Sequence, residues 1–216
     1  DCSFQVLEHM TQGAARAVGN LHNSGKLKGV LGIGGSMGTS VILKVMKVLP
    51  IGMPKLLVST IAFSPAVTPD EVNADLMMMQ WAAGLWGLNS ISRTVLERAA
   101  GALTGAAETY QRKKTARHKL VGITSLGSSQ LRYVHWLKPS LEKRGCEVAV
   151  FHATGMGGRG FEQAIAEGII DVALDLSLAE LVNQVCGGVG SAGQHRLESA
   201  GRKGIPQIVG VAPGTY

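Results

Sequence analysis

This chain of 216 residues has only three cysteines, Cys2, Cys146 and Cys186, with no CxxC pair and no histidine at ligand spacing. That excludes a disulfide framework and a zinc-stapled scaffold, and fits reduced thiols in a cytoplasmic protein. No run of 18 apolar residues occurs and the opening residues do not form a secretory leader, so no membrane is expected among the partners. Aromatics amount to 5%, which together with 29 glycines argues against an all-β sandwich and for a loop-driven α/β ligand binder. Acidic residues are in the minority, 15 against 21 Lys and Arg. The resulting net charge of +6 and pI near 9.4 attract anions as a class: nucleotides, acidic metabolites, RNA. Basic and aromatic residues interleave, as nucleic-acid binders require, only where Arg132 and Tyr133 meet Trp136, so RNA is a weaker expectation than a small anion. The sequence also lacks a GxSxG elbow, an HExxH helix and a paired-carboxylate pattern; no catalytic residue and no metal ligand is assigned.

What is present is alternation. Mostly continuous apolar runs at 29–33, 56–61, 74–79, 120–124, 147–152, 171–176 and 207–211 read as strands buried on both faces, hence parallel. Helical periods lie between them, carried by Ile42, Val45, Met46 and Leu49; by Ile91, Val95, Ala99, Ala102 and Ala106; by Leu131, Val134, Leu137 and Leu141; and by Leu178, Leu181, Val182 and Val185. Residues 5–21 form a further helix with Leu7, Met10, Ala14, Ala17, Val18 and Leu21 on one face. A doubly wound domain begins with a strand, so at least one strand is expected before this helix. The fold class is therefore α/β, two Rossmann-like lobes with mainly parallel sheets and ligands at the carboxyl ends of the strands. The lobes span 1–111 and 119–216, joined by a connector at 111–119 in which five of nine residues are Lys or Arg. Residues 62–73, with Pro65 and Pro69, are long enough for a flap.

The strongest motif is GVLGIGGSMGTS at 29–40, a buried strand running into a glycine-rich turn that opens a helix. Glycine lets the backbone bend closely, the first helical N–H groups point outward, and the helix dipole favours an anion. Gly34, Gly35, Ser36, Gly38 and Thr39 are the candidate phosphate residues. No lysine precedes Thr39, so this is not the Walker loop, and the dinucleotide fingerprint is incomplete. A second turn, HATGMGGRG at 152–160, offers Thr154, Gly155, Gly157 and Gly158 with Arg159 as a bidentate clamp. A flexible turn with a solvated arginine is an equal alternative. Further polar turns follow at 125–129, where Ser128 or Ser129 could cap a helix, at 174–177 with Asp175 and Ser177, and at 187–193 with Ser191 and Gly193 ahead of a short helix holding His195, Arg196 and Glu198. Asp175 has two readings, a ribose or metal orienter or a helix cap; His152 is read as a general base or a satisfied, partly buried histidine. Asn89 or Ser90 caps the long helix that follows.

Taken in order, the motifs at 29–40, LPIGMPK at 49–55, GLNSISR at 87–93, FHATGMGGR at 151–159, Asp175 to Ser177 and GGVGSAG at 187–193 resemble the family of the tomato mosaic virus resistance protein's ATP-binding domain. The resemblance covers nearly the whole chain. It implies a two-lobed Rossmann-like protein that binds ATP or a related nucleotide, with or without Mg, between its glycine loops, and that pairs into a homodimer. Residues 61–68 depart from the glycine- and threonine-containing loop common in that family. The expected function is binding of a nucleotide or other phosphorylated small molecule in a cleft between the lobes; the rivals are an RNA- or protein-binding regulator and a phosphoryl or sugar-phosphate enzyme.

Overall fold

The computed structural model of the protein describes residues 2–110 and 118–210; of the basic connector, 111–117 lie outside the described residues. The chain divides into two compact units, Asp1–Lys113 and Lys114–Tyr216.

In the first unit, helix α1 (Cys2–Asn23) precedes β1 (Val30–Gly34), α2 (Ser36–Met46), β2 (Lys55–Ser59), β3 (Met77–Gln80) and α3 (Ser90–Thr109). The sheet runs β1-β2-β3, parallel throughout, with Gly34 level with Ser59 and Ser59 with Gln80. Every residue of β2 is buried, as a central parallel strand requires. Leu56 and Val58 pack with Ala99 of α3, joined by Met77, Met79 and Trp81. The methionine run is thus strand and core. This strand starts later than the apolar run predicts, because Asp75 is occupied: its carboxylate pairs with the buried Lys55 Nζ at 2.8 Å and accepts from Gly52 N at 2.6 Å. Lys55 also donates to the carbonyls of Pro50 and Met53, so its charge is neutralised and its donors are used.

Helix α1 corrects the sequence reading of its face. The side turned inward carries Leu7, Thr11, Ala15 and Val18, whereas Met10, Ala14, Ala17 and Leu21 are exposed. Its apolar residues form two stripes, and the sequence period selected a mixture of both. The segment 62–73 is tied down: Asn73 Nδ2 donates to Met46 O at 2.8 Å and Ser40 Oγ to Glu71 at 3.3 Å. Asn89 caps α3 as expected, accepting from Ile91 N and Ser92 N, while Ser92 Oγ accepts from Asn89 N to complete a capping box. Within α3, Gly101 is exposed and a methyl group there would meet nothing within 4 Å. Gly101→Ala is therefore expected to stabilise by about 0.5–1 kcal/mol, seen as a higher urea midpoint at constant slope; a lower midpoint would contradict the assigned helix interior.

The second unit contains β4 (Leu120–Ser125), α4 (Gly127–Glu142), β5 (Glu147–His152), α5 (Met156–Ala166), β6 (Val172–Asp175), α6 (Ala179–Cys186), α7 (Glu198–Lys203) and β7 (Gln207–Val209). Its four strands are parallel in the order β5-β4-β6-β7. Val121, Ile123 and Leu174 face α4 through Val134, Leu137 and Leu141. On the other face a Cβ at Gly122 would collide with Phe161 and Ile170 at 2.7 Å, so glycine admits α5 to the sheet. Both units are thus mixed α/β with parallel sheets. Among the described residues no helix is long and apolar enough to cross a membrane.

Candidate functional site

In the first unit, β1 ends at Gly34 and α2 begins two residues later. Gly34 allows the close approach, since a Cβ there would stand 2.9 Å from Gly38 Cα and from Thr39 N. The N-cap Gly35 is extended and no side-chain hydrogen bond caps the helix. Ser36 and Met37 are exposed, so the first turn of an 11-residue helix opens at the carboxyl end of a strand with its amides outward. Thr39 has a different place. It is buried, and its hydroxyl shares a hydrogen bond of 2.6 Å with Ser59 Oγ, which in turn accepts from Ile61 N at 3.0 Å. Thr39 therefore fixes α2 against β2 and the loop after it.

The turn after β5 is also a glycine-rich strand-to-helix turn, with Gly155 at positive φ where Gly35 is extended, and its amides hold an oxyanion from within the protein. Gly155 N and Gly158 N donate to Glu180 Oε1 at 2.6 and 2.9 Å. A Cβ at Gly158 would lie 1.8 Å from Glu180 Oε2, so glycine is what lets the carboxylate sit against the helix N-terminus. Glu180 in turn receives Arg196 Nε at 2.8 Å. Arg196 is the hub of this end of the unit. Its Nη2 donates to Asp175 Oδ1 at 2.6 Å, its Nη1 to the other oxygen of Asp175 and to Glu162 at 3.2 Å, and its guanidinium carbon stands 5.7 Å from the centre of the Phe161 ring. Burial opposes the charge most strongly, yet the hydrogen bonds and charges of Asp175 and Glu180 outweigh it, and the guanidinium is held above its ordinary range. Glu162 additionally accepts from Leu197 N and Ser199 N at 2.7 and 2.9 Å, at the start of α7.

These contacts revise several readings. Arg196 lies before α7, which begins at Glu198. Asp175 neither caps the next helix nor stands open at the rim; it is fully buried, bonded by Arg196 and by Thr124 Oγ1 at 2.6 Å. Arg159 donates through Nε and Nη2 to the carbonyls of Ala192 and Ser191, both at 3.1 Å, stitching the turn at 154–159 to that at 187–193. Ser191 Oγ bonds Gln184 and accepts from Gly193 N at 3.0 Å. His152 closes β5 and is exposed, as is Thr154. No side-chain hydrogen bond caps α4 at its N-cap Leu126; instead Leu126 N donates to Gln130 of the same helix, whose Nε2 reaches Leu176 O at 3.1 Å.

The strand order places β4 between the second and third strands of its unit, so the connection leaving β4 runs to one side, toward β5, and that leaving β6 to the other, toward β7, and the switch point lies between β4 and β6. Ser125 ends β4, and Ser177 follows β6, with Ser177 N donating to Thr124 Oγ1 at 3.1 Å. Both hydroxyls are buried and lack a hydrogen-bond partner among the described residues. Glu162 and Glu180 escaped the sequence reading, and Ser125 and Arg196 fell in turns it noted without being given a role. The signal was available in part: a carboxylate on an otherwise apolar helical face, as in the LAELV of α6, implies a buried partner.

Sequence comparison matches residues 3–112 to the N-terminal domain and residues 118–215 to the C-terminal domain of an uncharacterised protein family, UPF0261. A UPF0261 protein of Brucella suis is 47% identical over 205 residues, 95% of this chain and 48% of that protein. One from Clostridium tetani is 38% identical over 209 residues, 97% of this chain and 51% of that protein. The ToMV susceptible protein tm-1(GCR26) of Solanum lycopersicum is 32% identical over 216 residues, covering 98% of this chain and 28% of the tomato protein. The chain spans about half the length of the bacterial relatives.

Proposed function

Because this chain belongs to the UPF0261 family, whose name assigns no activity, we propose from its strand-end turns that it binds a phosphorylated small molecule, a nucleotide such as ATP being the favoured class. The observation that carries this reading is the Glu180 carboxylate bound by Gly155 N and Gly158 N. It supports the reading because two amides of one glycine-rich strand-to-helix turn donate to a carboxylate of the protein itself. The turn at 34–38 is likewise a glycine-rich strand-to-helix turn, with an extended Gly35 where the other has Gly155 at positive φ; its Ser36 is exposed, so its first amides are open to an anion from outside. In this proposal Gly35, Ser36 and Gly38 belong to the first turn that offers amides, Gly34 permits the close approach of strand end and helix, and Thr39 holds the helix in position. Thr154, Gly157, Arg159, Ser191 and Gly193 form the bonded scaffold of the second unit. Ser177 and Ser125 contribute hydroxyls at its switch point. The protein is assigned no reaction.

Calorimetry with ATP, ADP, UMP and a sugar phosphate tests the reading, using Ser36→Glu as the diagnostic variant. A carboxylate in the first turn of α2 favours the helix dipole but repels a phosphate, so the fold is expected to persist while affinity falls at least tenfold. Absence of heat with every ligand, or equal affinity in Ser36→Glu, would refute the assignment.

A further inference from the structure

Helix α4 supports an inference independent of the glycine turns. Ser128, Arg132, Trp136 and Ser140 recur every four residues, which places them on a stripe that winds slowly, about 40° per step, over about 18 Å of the helix surface. Arg144, just beyond the helix, is drawn onto the same line by its Nη1 bond of 2.8 Å to Ser140 O. The aromatic members are open: Trp136 is 77% exposed and the adjacent Tyr133 61%. Ser128, Arg132, Tyr133 and Trp136 line a groove of about 610 Å³, within the range of small-ligand sites. The acid of this helix, Glu142, is engaged by Lys138, four residues apart on a different face, so the stripe itself reads cation, aromatic, cation. His135 meets the Trp136 ring edge-on at 6.4 Å between centroids.

A helix face that served only solubility would carry no exposed Trp and Tyr between two arginines. Aromatic faces spaced along a cationic track match a polymer that alternates flat bases with phosphates: each ring accepts a base by stacking, and each guanidinium accepts a phosphate. The net charge of +6 supplies the long-range attraction that such a partner needs. We propose that the outer face of α4 is a binding surface for single-stranded nucleic acid, with Trp136 and Tyr133 as stacking platforms and Arg132 and Arg144 as phosphate contacts.

The test is fluorescence anisotropy of a labelled 12-nucleotide oligouridylate with the whole chain over a salt series. The expected result is binding that weakens steeply with salt, falls about tenfold or more in Trp136→Ala, and loses roughly 0.7 from the log–log salt slope in Arg132→Gln. All of these side chains are on the surface, so the variants should keep the melting temperature of the parent. Ser36→Glu should leave oligouridylate binding unchanged, which separates this proposal from the small-ligand reading. The proposal fails if no binding occurs at low salt, if Trp136→Ala binds as the parent does, or if UMP alone competes as well as the oligomer on an equal-nucleotide basis. It fails equally if sedimentation shows that Trp136→Ala separates a dimer into monomers, since the face would then belong to a second copy of this chain.

Discussion

Arg196→Met is expected to cost about 3–5 kcal/mol of unfolding free energy, because it removes the cation from a site where Asp175, Glu180 and Glu162 converge. Asp175 and Glu180 are fully buried. Glu180 would keep its two glycine amides and Asp175 its Thr124 hydroxyl, but these donors do not balance the charge. Such a loss is comparable with the whole stability of a marginal domain. It should appear in urea unfolding and as early hydrogen exchange in the second unit. Arg196→Lys keeps the charge but not the fork that reaches Asp175 through two nitrogens, so its loss should be intermediate. The pH dependence has a definite sign. A cation whose folded pKa is raised contributes fully below its unfolded pKa and loses that contribution only as pH rises through the folded value. For this guanidinium both lie far into the alkaline range, the folded one higher still, so its own titration leaves its contribution constant from neutral to moderately alkaline pH. A loss below 1 kcal/mol in Arg196→Met would sink the hub as described.

The second large effect is expected at Gly157. A Cβ there would stand 1.8 Å from the His152 carbonyl oxygen and 2.6 Å from its carbon. This obstacle is backbone, and it is anchored: Thr154 N donates to His152 O at 2.8 Å, and the neighbouring Ala153 N donates to Ser125 O at 2.9 Å. No rotamer relieves the contact, so α5 must withdraw from β5, disturbing the amides that hold Glu180. Gly157→Ala should therefore cost about 3 kcal/mol or more, the upper end of overpacking effects. The same chemical change at Gly101 should stabilise. A melting temperature for Gly157→Ala within a degree of the parent would mean that the close approach of turn and strand is misplaced.

Much of the architecture was legible from local pattern. All seven strand runs became strands, but burial on both faces explains only the inner ones, β2, β4 and β6; edge strands such as β3, β5 and β7 are apolar yet partly exposed. Where a run overshot, as at 74–76, a specific side chain intervened: Asp75 is taken by Lys55 and Gly52. The face of α1 was misread because Met10 and Leu21 are apolar and exposed while Thr11 is turned inward. Periodicity counts hydrophobicity, and Thr11 meets its hydroxyl's need within the helix, donating to Leu7 O at 2.7 Å. The glycine turns were equally visible, since close packing of helix on strand end leaves no room for a Cβ. What fills the turn after β5 was not.

The amino-acid order alone determined two α/β lobes, their parallel strands and the glycine turns at the strand ends, because each depends on residues a few positions apart. Only the tertiary structure decided which charges meet. Glu180 reaches amides 22 and 25 residues away, and Arg196 joins carboxylates separated from it by 16, 21 and 34 residues. Local sequence period carries no record of such pairings, because the low-polarity interior that makes an unpaired charge costly exists only once the chain has folded.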